Sequence, residues 1–288
     1  MKNFPKTAVV VDSTAYFTPI EKSRYLIEIV PINVIFEGKI YRDGIDLTTE
    51  QAYQFLKKNP EDWATSAPSI GDFLTAFKKV STQGAEAIIC LTLAQSISAT
   101  WNNARNAKEI AKKEIPGLKI EIIDSGTAVI GERLLALRIS QMIKESKEFE
   151  EIIEMTENFK KKLRVFVLLE TIRYVYRSGR IPKIASEIGV ILPLKPILSV
   201  HGGKIKFKEA TVSKEKGEEK IIEILKENFD ENFPEIDLTY IDNSEEIKNF
   251  KKKISSLIPE AKISISQFSP IVGYATGPGT IGVGFFSK

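Results

Sequence analysis

The chain has 288 residues, 43% of them hydrophobic and 27% charged, with a net charge of +3 at pH 7. That length is better filled by two cores than by one. The charge is too small to argue for nucleic acid as a partner, and no apolar run is long enough to span a bilayer. A lone cysteine excludes an internal disulfide, and the start MKNFPKTAVVVDST lacks the pattern of a signal peptide, so a cytoplasmic setting is expected.

In chain order, the first half alternates strand and helix. Ala8 to Val11 is a short apolar run that ends in Asp12-Ser13-Thr14. Glu28 to Phe36 reads as extended, with Glu37-Gly38-Lys39 as a turn into Ile40-Tyr41. Thr48-Thr49-Glu50-Gln51 is a capping-box-like start for a helix through Lys57. Trp63-Ala64 runs into Thr65-Ser66-Ala67-Pro68-Ser69, and Ser69 starts a helix carrying Phe73, Leu74 and Phe77. Ile88 to Leu93 runs into Gln95-Ser96-Ile97-Ser98-Ala99-Thr100. The helix that follows presents Ala104, Ala107, Ile110 and Ala111 as one apolar stripe. Ile122-Ile123 runs into Asp124-Ser125-Gly126-Thr127, and the next helix is apolar nearly all round. Phe149 to Leu163 is an amphipathic helix with a lysine-rich end, which suits the negative end of the helix dipole.

A domain boundary is expected near Leu163, giving units 1–163 and 164–288. In the second unit, Val165 to Leu169, Asp237 to Ile241, Ala261 to Ile265 and Ile281 to Phe286 read as strands. Lys214 to Phe229 and Glu245 to Leu257 read as helices. Gly202-Gly203 between two alternating runs reads as a hairpin turn. The expected fold class is α/β with two domains. The first is a three-layer parallel sheet with helices on both faces, the second a mixed sheet with helices.

Four strands thus end in turns crowded with hydroxyls. Ligands of open α/β sheets sit outside the carboxyl ends of the strands, and helix starts suit a carboxylate or phosphate. The pattern points to a polar, anion-friendly rim rather than to a nucleophile with its base. His201 is the only histidine and sits on the hairpin; Cys90 is the only cysteine and sits inside an apolar run that reads as a core strand. A Cys–His dyad or a histidine metal cluster is therefore excluded, and no phosphate-loop, dinucleotide or zinc motif is present. No cofactor and no metal are expected.

Ser98 is the strongest site candidate, because it stands where a strand hands over to a helix; an N-cap would serve the same residue type. Thr65 and Ser66 fit either a ligand turn or an extended pre-proline turn. Asp12 fits an Asx-turn acceptor better than a catalytic base. Gly277-Pro278-Gly279 fits a tight turn between strands, or a loop whose small residues let a ligand approach the backbone.

Taken in order, these turns resemble the DegV family of bacterial fatty-acid-binding proteins, and the resemblance covers essentially the whole chain. Val10-Val11-Asp12-Ser13-Thr14-Ala15 resembles the family's opening strand and turn. Tyr41-Arg42-Asp43-Gly44 resembles its Tyr-x-Asp-Gly element. Thr65-Ser66-Ala67-Pro68-Ser69 is similar to Thr-Ser-Gln-Pro-Ser, and Ser98-Ala99-Thr100-Trp101-Asn102 to Ser-Gly-Thr-Tyr-Gln. Ser178-Gly179-Arg180-Ile181 resembles Gly-Gly-Arg-Ile. Thr276-Gly277-Pro278-Gly279 matches His-Thr-Gly-Pro-Gly except that Ala275 holds the histidine position. The resemblance implies two α/β domains with a long-chain fatty acid between them and a carboxylate held by Thr65 and Ser98. Ser66, Ser96 and Thr100 are neighbours, and Tyr274, Thr276 and Gly277 complete the expected ligand set. It also implies a non-catalytic carrier that presents the acid to a separate ATP-dependent fatty acid kinase, which makes acyl phosphate. Arg180 is a candidate contact for that partner. The other reading is an enzyme, a hydrolase or phosphotransferase subunit using Asp12 and the hydroxyl turns on a small polar substrate.

Overall fold

The computed structural model describes residues 6–179 and 194–288. The chain divides into two compact units, Met1–Lys160 and Lys161–Lys288.

In the first unit, β1 (Thr7–Asp12), β2 (Ile27–Val30), β6 (Ala87–Thr92) and β7 (Lys119–Asp124) form a parallel sheet in the order β2-β1-β6-β7. The two central strands, β1 and β6, are buried on both faces, which is why Ala8-Val9-Val10-Val11 and Ile88-Ile89-Cys90-Leu91 read as continuous apolar runs instead of alternating ones. On one face lie α3 (Ile70–Thr82) and α4 (Thr100–Glu114). They bury Phe73, Phe77, Val80, Ala104, Ala107 and Ala111 against Val10, Ile88 and Cys90. Against β1 and β6 packs α5 (Ile130–Lys144), buried nearly all round as its composition predicts. After it comes α6 (Phe149–Lys162). Capping boxes fix two starts as expected: Thr48 with Gln51 for α2 (Thr49–Lys58), and Ser69 with Asp72 for α3.

Several local expectations need correction. Glu28 to Phe36 is not one extended segment. Two strands in different sheets, β2 and β3 (Asn33–Phe36), are split at Pro31-Ile32. The expected turn at Glu37-Gly38-Lys39 makes a hairpin of β3 with β4 (Lys39–Arg42); the pairing of β3 with β5 (Ala64–Ser66), which completes a small antiparallel sheet β4-β3-β5, was not legible. Ile110 is 38% exposed and stands outside the buried stripe of α4. A short α1 (Pro19–Tyr25) precedes β2, started by the Thr18–Glu21 capping box.

The second unit is built on a mixed sheet of β8 (Leu163–Leu168), β9 (Lys195–His201), β10 (Lys204–Thr211), β11 (Glu235–Tyr240), β12 (Lys262–Gln267) and β13 (Ile281–Phe286). Among the described residues its order is β10-β9-β8-β13-β11-β12, with β11 and β12 parallel and the other neighbours antiparallel. Gly202 and Gly203 make the β9–β10 hairpin with φ of 56° and 74°, a turn that requires left-handed backbone at both positions. On β10, an edge strand, Lys204, Lys206 and Lys208 are exposed, charges that oppose pairing with a further strand. After α7 (Arg173–Ser178) the helices are α8 (Lys214–Asn228) and α9 (Ser244–Leu257). These two cover one face of the sheet, burying Ile221, Leu225, Phe250 and Ile254 against Leu168, Leu238 and Phe285. A short α10 (Pro270–Thr276) leads into Gly277-Pro278-Gly279, so that turn joins a helix to β13 and does not join two strands.

Candidate functional site

In the parallel sheet, the chain runs outward from β1 in both directions, to β2 on one side and β6 on the other. The carboxyl ends of β1 and β6 are the topological switch point, where open α/β sheets hold ligands. The turns around that edge are not equivalent.

The first and last hydroxyl turns are engaged internally. Asp12 Oδ1 accepts from the Thr14 N–H at 3.0 Å, and its Oδ2 accepts from the Leu93 N–H at 2.8 Å. Ser13 Oγ accepts from the Ile32 N–H at 3.1 Å. Asp12 is therefore the Asx-type acceptor expected of it, and it ties β1 to the exit of β6. Asp124 Oδ1 accepts from the N–H groups of Gln95 and Gly126 at 3.2 and 2.9 Å. Ser125 Oγ donates to Thr127 O at 3.2 Å.

The middle two turns keep more solvent-accessible hydroxyls. Ser98 is half-buried; its Oγ lies 2.8 Å from Thr100 Oγ1 and accepts from the Thr100 N–H at 3.3 Å. Thr100 is fully buried, and Ser96 is exposed. The N-cap position of α4 is Ala99, which has no side chain to cap with, so Ser98 serves the helix start from one residue earlier. Thr65 on β5 is half-buried and Ser66 exposed; Asn33 Nδ2 donates to Ser66 Oγ at 3.4 Å. The Thr65 turn is fastened to α4 by Asn103, whose Nδ2 donates to Pro68 O at 2.8 Å. The turn after Thr65 is thereby tied to the helix whose start carries Ser98, and hydroxyls and free N–H groups at a helix start can meet a small anion with neutral donors.

In the second unit the expected ligand residues have local roles. The Tyr274 ring lies 4.7 Å from the Arg177 guanidinium, which also lies 4.9 Å from the Tyr174 ring. Thr276 Oγ1 donates to Val272 O within α10. Gly277 has φ of 84°, and a Cβ there would fall 2.2 Å from the Tyr174 ring. Its small size serves that packing. Ala275 is half-buried on α10. Of the Ser178-Gly179-Arg180-Ile181 element, Arg180 and Ile181 lie outside the described residues.

Three residues outside the expected set matter. His201 is on the β9 end, its Nδ1 3.0 Å from Leu163 O and 3.1 Å from Arg164 Nη1. Cys90 is a buried thiol pushed well above its ordinary pKa by burial. Glu132, in the first turn of α5, was missed altogether. The only signal for it is one acid within an otherwise apolar helical stretch. It is fully buried and its Oε2 lies 2.8 Å from Thr14 Oγ1, a hydrogen-bonding distance. Among the described residues no group of three or more His, Cys, Asp and Glu is placed to hold a metal, and no helix is long and apolar enough to cross a membrane.

The parallel sheet with polar turns at its carboxyl edge, followed by a mixed-sheet unit, defines a two-part α/β protein of the expected class. The family model described as "Uncharacterised protein, DegV family" matches residues 6–288, and the chain belongs to the DegV family. A DegV domain-containing protein of Listeria innocua is 29% identical over 279 residues, 96% of this chain and 97% of its own. Another from Clostridium acetobutylicum is 27% identical over 284 residues, 98% and 99% of the two chains. In structure, the chain is similar to a stearic acid-binding protein from Eubacterium ventriosum, with a TM-score of 0.88 and 26% identity over 98% of each chain. It is also similar to DegV, a fatty acid binding protein from Bacillus subtilis, with a TM-score of 0.87 and 26% identity over 99% and 100% of the two chains.

Proposed function

We propose that this chain binds a long-chain fatty acid, holding its carboxylate with Thr65 and Ser98, and presents it to a separate ATP-dependent fatty acid kinase in the cytoplasm. The observation that carries the reading is the bond from Asn103, on the helix that follows Ser98, to Pro68 in the turn that follows Thr65. It occurs in a member of a family whose similar solved structures include fatty-acid-binding proteins. Hydroxyl and N–H donors hold a carboxylate without a buried counter-ion, so the head group need not supply most of the affinity. Burying about fourteen methylenes contributes roughly 11 kcal/mol gross at about 0.8 each. Immobilising the ligand takes back about 4 kcal/mol or more, and a tight complex remains.

Ser96, Ser66 and Thr100 flank the head group in this reading, and Tyr274 and Thr276 are further proposed ligand residues. The enzyme reading is less favoured. Asp12, its proposed base, has no exposed surface and spends both oxygens on internal donors. Mass spectrometry of solvent-extracted, denatured protein is the test. A stoichiometric acyl chain of roughly sixteen to eighteen carbons is expected, the length that supplies the burial above. Well-folded protein that yields no acyl species and takes up none on incubation overturns the reading.

A further inference from the structure

Two carboxyl groups, Asp12 at the end of β1 and Glu132 in the first turn of α5, lie in the core with no exposed surface. The Thr14 hydroxyl stands between them, 2.6 Å from Asp12 Oδ1 and 2.8 Å from Glu132 Oε2. A hydroxyl carries one proton, so it donates to only one of these oxygens. The second short contact needs a proton supplied by a carboxyl. One of the two groups is therefore a neutral acid.

The remaining bonds say which. Asp12 also receives the N–H groups of Thr14 and Leu93, and N–H groups only donate, so its site is built for the anion. Glu132 receives a single N–H, that of Asp12, its carboxyl also bonds directly with the Asp12 carboxyl, and its Oε1 has no hydrogen-bond partner among the described residues. A charged oxygen left dry is costly; the carbonyl oxygen of a neutral acid is far less so. Arg133, the adjacent cation on α5, turns to Glu21, to Tyr16 O and to the Phe17 ring. On the elements packed most closely against α5, the other titratable groups are Cys90 on β6 and Glu21, Lys22, Arg24 and Tyr25 on α1; α6, with its Glu and Lys side chains, meets α5 where Arg138 lies over Phe159. Burial and the Asp12 charge push the Glu132 carboxyl well above its ordinary value of 4.5. Burial raises Asp12 too, with its hydrogen-bond donors opposing.

The trio sits where it can act on the candidate site. Asp12 Oδ2 holds the Leu93 N–H, the first of three bonds that fix the exit of β6. Ala94 N–H to Thr127 O at 2.7 Å and Gln95 N–H to Asp124 at 3.2 Å are the others. Ser98 follows three residues later. Val129, which begins α5, has φ of 51°, a strained conformation for a β-branched residue, and the helix it starts aims Glu132 at Thr14.

We propose that Glu132 is a positioning residue carried as the neutral acid: it donates to Thr14, Thr14 donates to Asp12, and Asp12 fixes the turn that leads to Ser98. Loss of that proton places two negative charges about one hydroxyl and loosens the turn. The consequence for ligand affinity rests on the fatty-acid reading; the proton itself does not. Because the unfolded chain releases this proton near 4.5 and the folded chain only at higher pH, stability falls as the pH rises from there through the folded value.

Infrared difference spectroscopy of the whole protein, wild type minus Glu132→Gln, tests this directly. A protonated carboxyl stretch is expected in the wild type at neutral pH, shifted in deuterium oxide, bleached by alkali and missing from Glu132→Gln. Its absence from the wild type overturns the proposal. So does a band that survives Glu132→Gln and disappears in Asp12→Asn. Should Glu132→Gln fail to fold, the alkaline titration of the wild-type band decides alone. Melting temperature should fall as the pH is raised above neutral in the wild type and stay level in Glu132→Gln; equal slopes count against it. Fatty acid affinity should show the same alkaline loss. A protein that has the band but binds no fatty acid at any pH would sink the functional reading and leave the proton in place.

Discussion

The Asn103 side chain donates 2.8 Å to the carbonyl of Pro68, joining α4 to the turn after Thr65. Thr65 lies three residues before Pro68 and Ser98 five before Asn103, and this bond and the packing of α3 on α4 tie the segments that carry them.

Removing the Asn103 amide should therefore weaken the site without dismantling the unit. Asn103→Ala is expected to reduce fatty acid affinity by about 1 kcal/mol, the net worth of one hydrogen bond, and to lower the melting temperature only slightly. Titration with a fluorescent fatty acid, beside a thermal melt, separates the two effects. An unchanged affinity would show that the two turns do not act together.

Ser98→Ala and Thr65→Ala should each weaken binding by about 1 kcal/mol, with the double variant losing about 2 kcal/mol, since both hydroxyls are proposed to face one carboxylate. Ser98 also accepts the Thr100 N–H. A melting temperature that collapses in Ser98→Ala while affinity holds would mark the residue as a helix cap alone.

Much of the frame was legible because its signals are local. The buried parallel strands announce themselves as apolar runs, and Thr48-Thr49-Glu50-Gln51 and Ser69-Ile70-Gly71-Asp72 carry their caps in sequence. The Gly202-Gly203 hairpin carries its turn chemistry in two residues. The pairing of β3 with β5 was not legible, because strands of three or four residues have no resolvable period and their pairing is set by tertiary contacts. Ile110 fell on the wrong side of α4 because the buried stripe is narrow and made largely of alanines. At the site, the sequence presents four hydroxyl turns alike. The structure separates them by burial, since Ser13, Thr14, Ser125 and Thr127 are buried while Thr65, Ser66, Ser96 and Ser98 keep accessible surface. Glu132 was out of reach because its partner, Thr14, is 118 positions away.

The Arg133–Glu21 pair gives the first unit an acid limit. Arg133 is 3% exposed in its side chain and donates to Glu21 Oε1 at 2.6 Å. Burial raises the Glu21 carboxyl, but the bonds from Arg133 and Thr18 outweigh it and hold it below its ordinary 4.5. A carboxyl depressed in the folded state stabilises above its ordinary value and loses that contribution as the pH falls through the folded value. Arg133→Met should cost about 1–2 kcal/mol at neutral pH, the scale of a charge-assisted hydrogen bond whose carboxylate partner is only partly buried, and should flatten the acid side of the stability profile. Urea denaturation across the acid range would show it; an unaltered acid slope would refute the assignment.

Gly277→Ala should be damaging for a reason unrelated to ligand. The added Cβ meets the Tyr174 ring at 2.2 Å, and φ of 84° is strained for alanine. A loss of about 2 kcal/mol in stability is expected from overpacking together with backbone strain. Tyr174→Ala in the same chain should recover only part of it, because the backbone strain stays. Full stability in Gly277→Ala, with fatty acid binding lost, would instead return Gly277 to the ligand.

The last expectation concerns hand-over. The chain alone should hydrolyse no ATP and make no acyl phosphate. General acid–base work needs a group within reach of the substrate, and His201 is engaged with Leu163 O and Arg164 at the end of β9 while Asp12 and Glu132 have no exposed surface. Acyl phosphate should form when a fatty acid kinase and ATP are supplied. Ala275 sits on α10 one residue before Thr276, at the position where the family pattern has histidine. Ala275→His should raise the rate of kinase-dependent acyl phosphate formation by about tenfold, since one added hydrogen bond to the head group in the reacting state is worth about 1 kcal/mol or slightly more. Acyl hydroxamate trapping measures it. Equal rates in the two proteins would mean that this chain presents its ligand without that side chain. Turnover by the isolated protein, abolished by Asp12→Ala, would instead make the chain an enzyme with Asp12 in its chemistry.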